Sequence, residues 1–197
     1  QVGTFGHFLQ AYAFQILRVY ERIIQTYDRI NMCPLGACAI GGTSMPIDRE
    51  YTAQLLGFDG IIYNSIDAIS SRDYISEVLS ILSDLAIIIS RISEDLILWN
   101  SEDFGFVIIA DEFTSVSSAM PQKKNPDTLE IIRGRAGKVV GALIEALMMQ
   151  KGTPSGYNRD FQESKPPLIT GFNTTKNAIK ILSGVFETIN IREENMK

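Results

Sequence analysis

Between Phe5 and about Ile30, apolar side chains return at helical spacing at Phe5, Phe8, Tyr12, Ile16, Val19, Ile23 and Ile30, and Phe14, Leu17, Tyr20, Ile24 and Tyr27 line a second face. That pattern predicts a long α-helix, and a helix apolar on two sides is expected to be largely enclosed. Pro34, Gly36, Gly41, Gly42 and Pro46 then break the periodicity, so Asn31 to Pro46 reads as a loop. Asp48 to Leu56 has the pattern of a short helix closed by Gly57, and Asp59 to Ser71 is less regular. The clearest periodicity runs through Ile75, Val78, Leu82, Leu85, Ile89, Ile92, Leu96 and Trp99, alternately three and four apart. This is a coiled-coil-like seam on a helix on the order of 40 Å long, which needs neighbours, expected from other subunits.

A third helix is expected after Asn125. Leu129, Ile132, Ala136, Val139, Leu143 and Leu147 fall on one face, and Gly134, Gly137 and Gly141 would let another helix approach closely. Each glycine costs a helix about 1 kcal/mol, so the three call for a packing reason. Asn125 is read as the N-cap and Pro126 as the first helical residue, with Asp127 and Glu130 at the positive end of the helix. Lys151 to Pro167 reads as a loop, followed by a last helix marked by Ile179, Leu182, Phe186 and Ile189. A short strand at Phe106 to Ile109 is the only one the pattern suggests, and neither internal repeats nor low-complexity tracts are present. Long helices with polar, glycine-rich connections predict an all-α long-helix bundle. The first residues enter the helical pattern without a leading cap and without an initiator Met, as expected of a fragment of a longer protein.

The 197 residues, 45% hydrophobic, suit a folded globular chain. With 18 basic against 23 acidic residues, a net charge of −5 and no basic run, a surface that binds nucleic acid is not expected. Cys33, Cys38 and a lone histidine are too few for a zinc site or a disulfide framework, so no metal or other cofactor is expected and the thiols suit a reduced, cytoplasmic setting. No apolar run approaches the roughly 18 residues of a membrane span, and Gln1-Val2-Gly3-Thr4 lacks the basic start of a signal peptide.

The chemistry concentrates in Ser117-Ser118-Ala119-Met120-Pro121-Gln122-Lys123-Lys124-Asn125-Pro126, which combines two hydroxyls, two cations and a helix start. It reads as a site for an anionic substrate. Small residues at Ser115, Ser117, Ser118 and Ala119 would let a closing loop carry Ser117 to that substrate. The segment resembles the signature of the fumarase/aspartase superfamily of lyases, in which a Gly-Ser opening leads into Met-Pro, Lys and Asn, although Val116 replaces the Gly here. Within that superfamily, Gln122 to Asp127 looks most like the argininosuccinate lyases. Pro34-Leu35-Gly36 through Gly42-Thr43 to Pro46-Ile47-Asp48-Arg49-Glu50, and Tyr157-Asn158-Arg159-Asp160 with Gln162-Glu163 and Lys165, agree in family order.

The resemblance implies the family's central helical domain over residues 1–197, without its amino- and carboxy-terminal domains, in a homotetramer whose active sites draw on several chains. It implies β-elimination of a C–N bond beside a carboxylate, splitting argininosuccinate into arginine and fumarate. Such a reaction needs a base for the carbon-bound proton, cations for charge gathering on the carboxylate, and an acid for the departing nitrogen. By motif position Ser117 matches the catalytic serine, Lys123 the lysine that stabilises the substrate carboxylate, Asn125 a substrate-binding residue, and Glu130 the carboxylate that orients a catalytic histidine. Tyr157, Gln162 and Lys165 match substrate-binding residues, supplying a hydroxyl, an amide and a point charge. The family's catalytic histidine falls upstream of Gln1, and His7 belongs to a neighbouring stretch and is not given its role. The alternatives are a sibling lyase acting on adenylosuccinate, aspartate or fumarate, and a non-catalytic, crystallin-like helical oligomer.

Overall fold

The computed structural model describes residues 3–120 and 122–197; Pro121 of the signature, and Gln1 and Val2, lie outside the described residues. Six helices carry the fold: α1 Phe5–Ile30, α2 Arg49–Leu56, α3 Ser65–Ser70, α4 Asp73–Asn100, α5 Asp127–Gln150 and α6 Lys165–Thr188. Six two-residue strands, β1 Met32–Cys33, β2 Gly60–Ile61, β3 Val107–Ile108, β4 Ser115–Val116, β5 Lys124–Asn125 and β6 Asn190–Ile191, tie the connections together in pairs. β1 and β2 are parallel, whereas β3–β6 and β4–β5 are antiparallel. The all-α bundle stands as expected, and β3 occupies the one strand position the sequence suggested. The other strands were not legible, because two residues are too short to show an alternating pattern.

α4 is the axis. Ile75, Leu79, Leu82, Leu85, Ile89, Ile92 and Leu96 are buried along it, and Leu79 and Leu96 are 0% exposed. The expected seam is thus only part of what it buries, since Ile81 and Ala86 are enclosed as well. α1, α5 and α6 of the same chain supply the neighbours that the sequence reading sought in other subunits. Ser83 and Ser93, buried on this axis, satisfy their hydroxyls by donating to the carbonyls of Leu79 and Ile89, both at 2.7 Å.

α1 begins at a cap the sequence reading missed: Thr4 Oγ1 accepts from the His7 amide at 3.1 Å. Tyr12, Val19 and Thr26, one heptad apart, are buried against α4. Polar pairs fix the antiparallel register. The Tyr12 hydroxyl donates to Asp95 Oδ2 at 2.5 Å, Arg22 pairs with Asp84 at 2.6 Å, and Thr26 and Arg29 both meet Glu77. The Arg29 hydrogen bond holds the Glu77 carboxyl below the usual carboxylate range. The second apolar face of α1 is not enclosed within this chain: Phe14 is 60% exposed, and Leu17, Tyr20, Ile24 and Tyr27 are exposed with it. Phe5, Phe8 and Phe106 instead gather around Trp99, with the Phe8 and Trp99 ring centroids 4.4 Å apart.

Two helix starts differ from expectation. Asn125 is not the cap of α5: its backbone pairs with Ser115 in the β4–β5 ladder, so Pro126 takes the cap position and the helix begins at Asp127. α6 begins at Lys165, before Pro166 and Pro167, which fit its first turn, where a missing N–H costs nothing. On α6, Val185 is fully buried while Ile179 is exposed. Close helix approach occurs at Gly171 of α6, where a Cβ would lie 2.5 Å from Leu79 Cδ2. Gly134, Gly137 and Gly141 of α5 face open space, and Leu147 is exposed too, so among the described residues no helix provides their packing reason. α2 behaves as its sequence suggested, with Asp48 accepting from the Tyr51 amide at 2.8 Å and Gly57 closing it at φ 77°.

Burial, reinforced by the Asp95 hydrogen bond and charge, pushes the Tyr12 hydroxyl up to about 12. Replacing Tyr12 by Phe is expected to lower unfolding stability at neutral pH by about 1.5–3 kcal/mol, the range for a hydrogen bond to a charged group. Because the folded-state value lies above the ordinary one near 10, the wild-type contribution is whole below about pH 10 and fades as pH rises toward 12. Denaturant unfolding of both forms at neutral and strongly alkaline pH checks this: the gap between them should narrow at high pH.

Candidate active site

Ser117 lies where the β4–β5 hairpin opens into its loop. Ser115 pairs with Asn125 and Val116 with Lys124. Beyond the ladder, the Ser117 amide donates to the Lys123 carbonyl at 3.2 Å and the Lys123 amide to the Met120 carbonyl at 2.9 Å. The hairpin therefore brings Ser117, Lys123 and Asn125 together at its mouth. The half-buried Ser117 side chain turns back into its own loop, its Oγ accepting from the amides of Ala119 at 3.3 Å and Met120 at 3.2 Å. Two N–H donors aimed at one hydroxyl oxygen favour negative charge there, which an unassisted serine lacks.

The two adjacent lysines are not equivalent. Lys124 forms an ion pair with Asp111, which ties β5 to the 3₁₀ turn Asp111–Phe113. Lys123 is exposed and has no ion-pair partner among the described residues, so its charge is available to a ligand. Thr128 Oγ1 donates to the Phe113 carbonyl at 2.6 Å, and Gly184 of α6 packs so closely on the Phe113 ring that a Cβ would lie 2.6 Å from its Cζ. The base of the hairpin is thus anchored to α5 and α6. Asn125 is half-buried, and its side-chain amide makes no hydrogen bond among the described residues. Glu130 is exposed on the first turn of α5, one of the acidic residues that suit this helix end. His7 is exposed, and among the described residues its ring makes no hydrogen bond to Ser117 or Glu130.

Tyr157, Gln162 and Lys165 form a second group. The Tyr157 amide donates to the Ala39 carbonyl at 3.2 Å, and Gly156, at φ 101°, sits where a Cβ would come within 2.9 Å of Ile40 Cδ1. Gln162 Nε2 donates to the Tyr157 hydroxyl at 3.4 Å. These side chains, with Arg72 and Tyr74 from the start of α4, line a groove of about 320 Å³. Arg72 and Tyr74 were not singled out by sequence reasoning, because an arginine at a helix start carries no distinctive spacing.

The two groups do not meet in one chain. α5 lies between them in sequence, and its 24 residues at 1.5 Å rise put its ends roughly 36 Å apart. The antiparallel packing of α4 on α5 places Ser76, near the start of α4, beside Gln150 at the end of α5. The groove thus sits at the end of the bundle opposite the hairpin. Among the described residues no group of three or more His, Cys, Asp or Glu could hold a metal ion, and no helix is long and apolar enough to cross a membrane. Both cysteines are free thiols, Cys33 buried and Cys38 exposed.

An all-α bundle presenting this signature at a hairpin is the architecture of a superfamily of lyases, and the family described as Lyase matches residues 1–141, so the chain belongs to that lyase family. More particularly, the chain is 48% identical to the argininosuccinate lyase of Geobacillus thermodenitrificans over 194 residues, 98% of this chain and 42% of the relative. It spans about two fifths of the length of the curated relatives it matches. A crystal structure of EDDS lyase in complex with formate superposes on 97% of this chain and 38% of that one with a TM-score of 0.89 and 33% identity. A class II fumarase from Schistosoma mansoni superposes on 98% of this chain and 45% of that one with a TM-score of 0.86; at 16% identity this likeness concerns the fold alone.

The contrast between the lysines is directly testable in the whole protein that contains this chain. Lys123→Met is expected to leave thermal stability unchanged, because its ammonium has no ion-pair partner among the described residues. Lys124→Met is expected to lower stability slightly through the lost Asp111 pair, an exposed contact. Thermal melts of both variants check the contrast.

Proposed function

We infer that the protein to which this chain belongs is an argininosuccinate lyase. The observation that carries the reading is the hairpin itself: it sets the Ser117 hydroxyl under two amide donors, beside Lys123 and the Asn125 amide, neither of which has a side-chain partner among the described residues. The relatives named argininosuccinate lyase support that substrate. In the proposed reaction the proton on the carbon beside the substrate carboxylate is removed and its electron pair forms the new double bond of fumarate. The C–N bond breaks, and the departing guanidino nitrogen takes up a proton as arginine leaves. Lys123 balances charge that builds on the carboxylate, and Asn125 binds the same end of the substrate. Ser117 transfers a proton, and Glu130 orients a histidine supplied from outside these residues.

Tyr157, Gln162 and Lys165 are proposed to hold the amino-acid end of the substrate. Since they lie a helix length from Ser117, the reading requires more than one copy, and a homotetramer is proposed. Two features support it: the exposed apolar face of α1 from Phe14 to Tyr27, and the open glycine face of α5. Residues 1–197 are taken as the central helical domain of that enzyme, working in the cytoplasm in arginine biosynthesis with a small molecule as its only other partner. The chemistry assigned to these side chains needs no cofactor.

Release of arginine and fumarate from argininosuccinate by the whole protein tests the reading. Ser117→Ala is expected to lower kcat by about 10²–10⁴, the usual contribution of a positioned proton-transfer group, with helix content by circular dichroism unchanged. Near-normal turnover in that variant would remove Ser117 from the chemistry, and a wild-type protein without this activity would contradict the substrate.

A further inference from the structure

The segment that carries Tyr157, Gln162 and Lys165 is shaped by its own hydrogen bonds, tied to the Ala39 carbonyl by the Tyr157 amide and packed on α5 and α6. Asn158 Nδ2 donates to the carbonyls of Pro154 at 2.7 Å and Gly156 at 3.1 Å, the Phe161 amide to the Asn158 carbonyl at 3.3 Å, and Ser164 Oγ to the Phe161 carbonyl at 2.5 Å. These bonds shape the turn without fixing where it sits on the bundle. At its centre Phe161 is 5% exposed, and the guanidinium of Arg72 lies over its ring, 4.7 Å from the centroid. Gln162 follows immediately, and Lys165 lies one turn further on.

Arg72 is held from its other side. Its Nη1 donates to the carbonyls of Ile69, at 3.2 Å, and Ser71, at the end of α3, where unpaired carbonyls favour a cation. The guanidinium therefore bridges the α3–α4 junction and the Phe161 ring, on the wall of the groove that Tyr157, Gln162 and Lys165 line. A planar cation can bond carbonyls in its plane and cover an aromatic ring with its face at once, a geometry that a compact ammonium matches less well.

We propose that Arg72 is a positioning residue for this groove: anchored on the α3 carbonyls, it clamps Phe161 and so sets Gln162 and Lys165 in place for the substrate end they bind. The role of the groove rests on the argininosuccinate reading above; the clamp rests on the geometry. In the whole enzyme, Arg72→Met is expected to raise KM for argininosuccinate roughly tenfold. Because the clamp acts on groups that bind substrate and not on the proton-transfer residues, kcat should stay within about threefold. Arg72→Lys should not restore KM. Phe161→Leu, which keeps an apolar side chain at the buried site and removes the ring, should raise KM similarly, and the double variant with Arg72→Met should be no worse than the poorer single one.

Fully additive effects of the two changes would mean that Arg72 contacts substrate independently of Phe161 and would overturn the clamp, as would an unchanged KM in Arg72→Met. Amide hydrogen exchange provides a readout that needs no substrate. Faster exchange across residues 157–165 in Arg72→Met, with the middle of α4 unaffected, is expected, and unaltered exchange there would overturn the proposal. If the wild-type protein did not cleave argininosuccinate, the reading of function would fail separately, and the exchange result would still decide the clamp.

Discussion

The burial of α4 along its whole length governs the rest of the molecule. A 28-residue helix whose apolar positions extend beyond a single stripe cannot be covered by one neighbour, so α1, α5 and α6 lie along it on different sides. Hydrophobic burial is non-directional and would tolerate sliding. The register comes from the polar contacts at the edges, Tyr12 with Asp95, Arg22 with Asp84, and Thr26 and Arg29 with Glu77 along α1, and Arg133 with Glu94 and Gln150 with Ser76 along α5. Gly171, pressed onto Leu79, sets how near α6 can come.

That alignment has a functional cost and a functional use. Long parallel rods offer little concave surface, so the polar groups collect where the rods end. The hairpin is tied at one end by the Lys124–Asp111 pair, the Thr128–Phe113 bond and the Phe113–Gly184 contact. The groove is held at the other by Arg72, Phe161 and the Tyr157–Ala39 bond. A rigid bundle can place each cluster accurately, but one copy cannot join them. In the proposed enzyme the exposed apolar face of α1 and the open glycines of α5 resolve this, by letting copies pack so that unlike ends meet.

Much of this was legible in the sequence because helices announce themselves by periodicity. The seam from Ile75 to Trp99 marked α4, the repeat from Phe5 to about Ile30 marked α1, and Asp48 with Gly57 marked α2. What failed were positions where tertiary structure overrides local chemistry. Asn125 has every quality of an N-cap, yet the hairpin takes its backbone for a strand pair. Pro166 and Pro167 looked like loop residues and sit in the first turn of α6. The partners of α4 were sought in other subunits, because periodicity shows that a face is apolar and not what covers it. At the site, the signature brought Ser117, Lys123 and Asn125 to one place, while the role of Arg72 depends on a ring 89 positions further along the chain, which no local pattern reveals.

In the proposed enzyme a working site joins the hairpin of one copy to the groove of another. This joining is checked by mixing two inactive forms of the whole enzyme, Ser117→Ala and Lys165→Met, dissociating them together and reassembling them. If sites span copies, some sites in the mixed oligomer draw both ends from unaltered residues, and cleavage of argininosuccinate returns although neither parent has it. Mixed oligomers that form and stay inactive would mean that each site lies within one copy, contrary to the separation of the two clusters along α5.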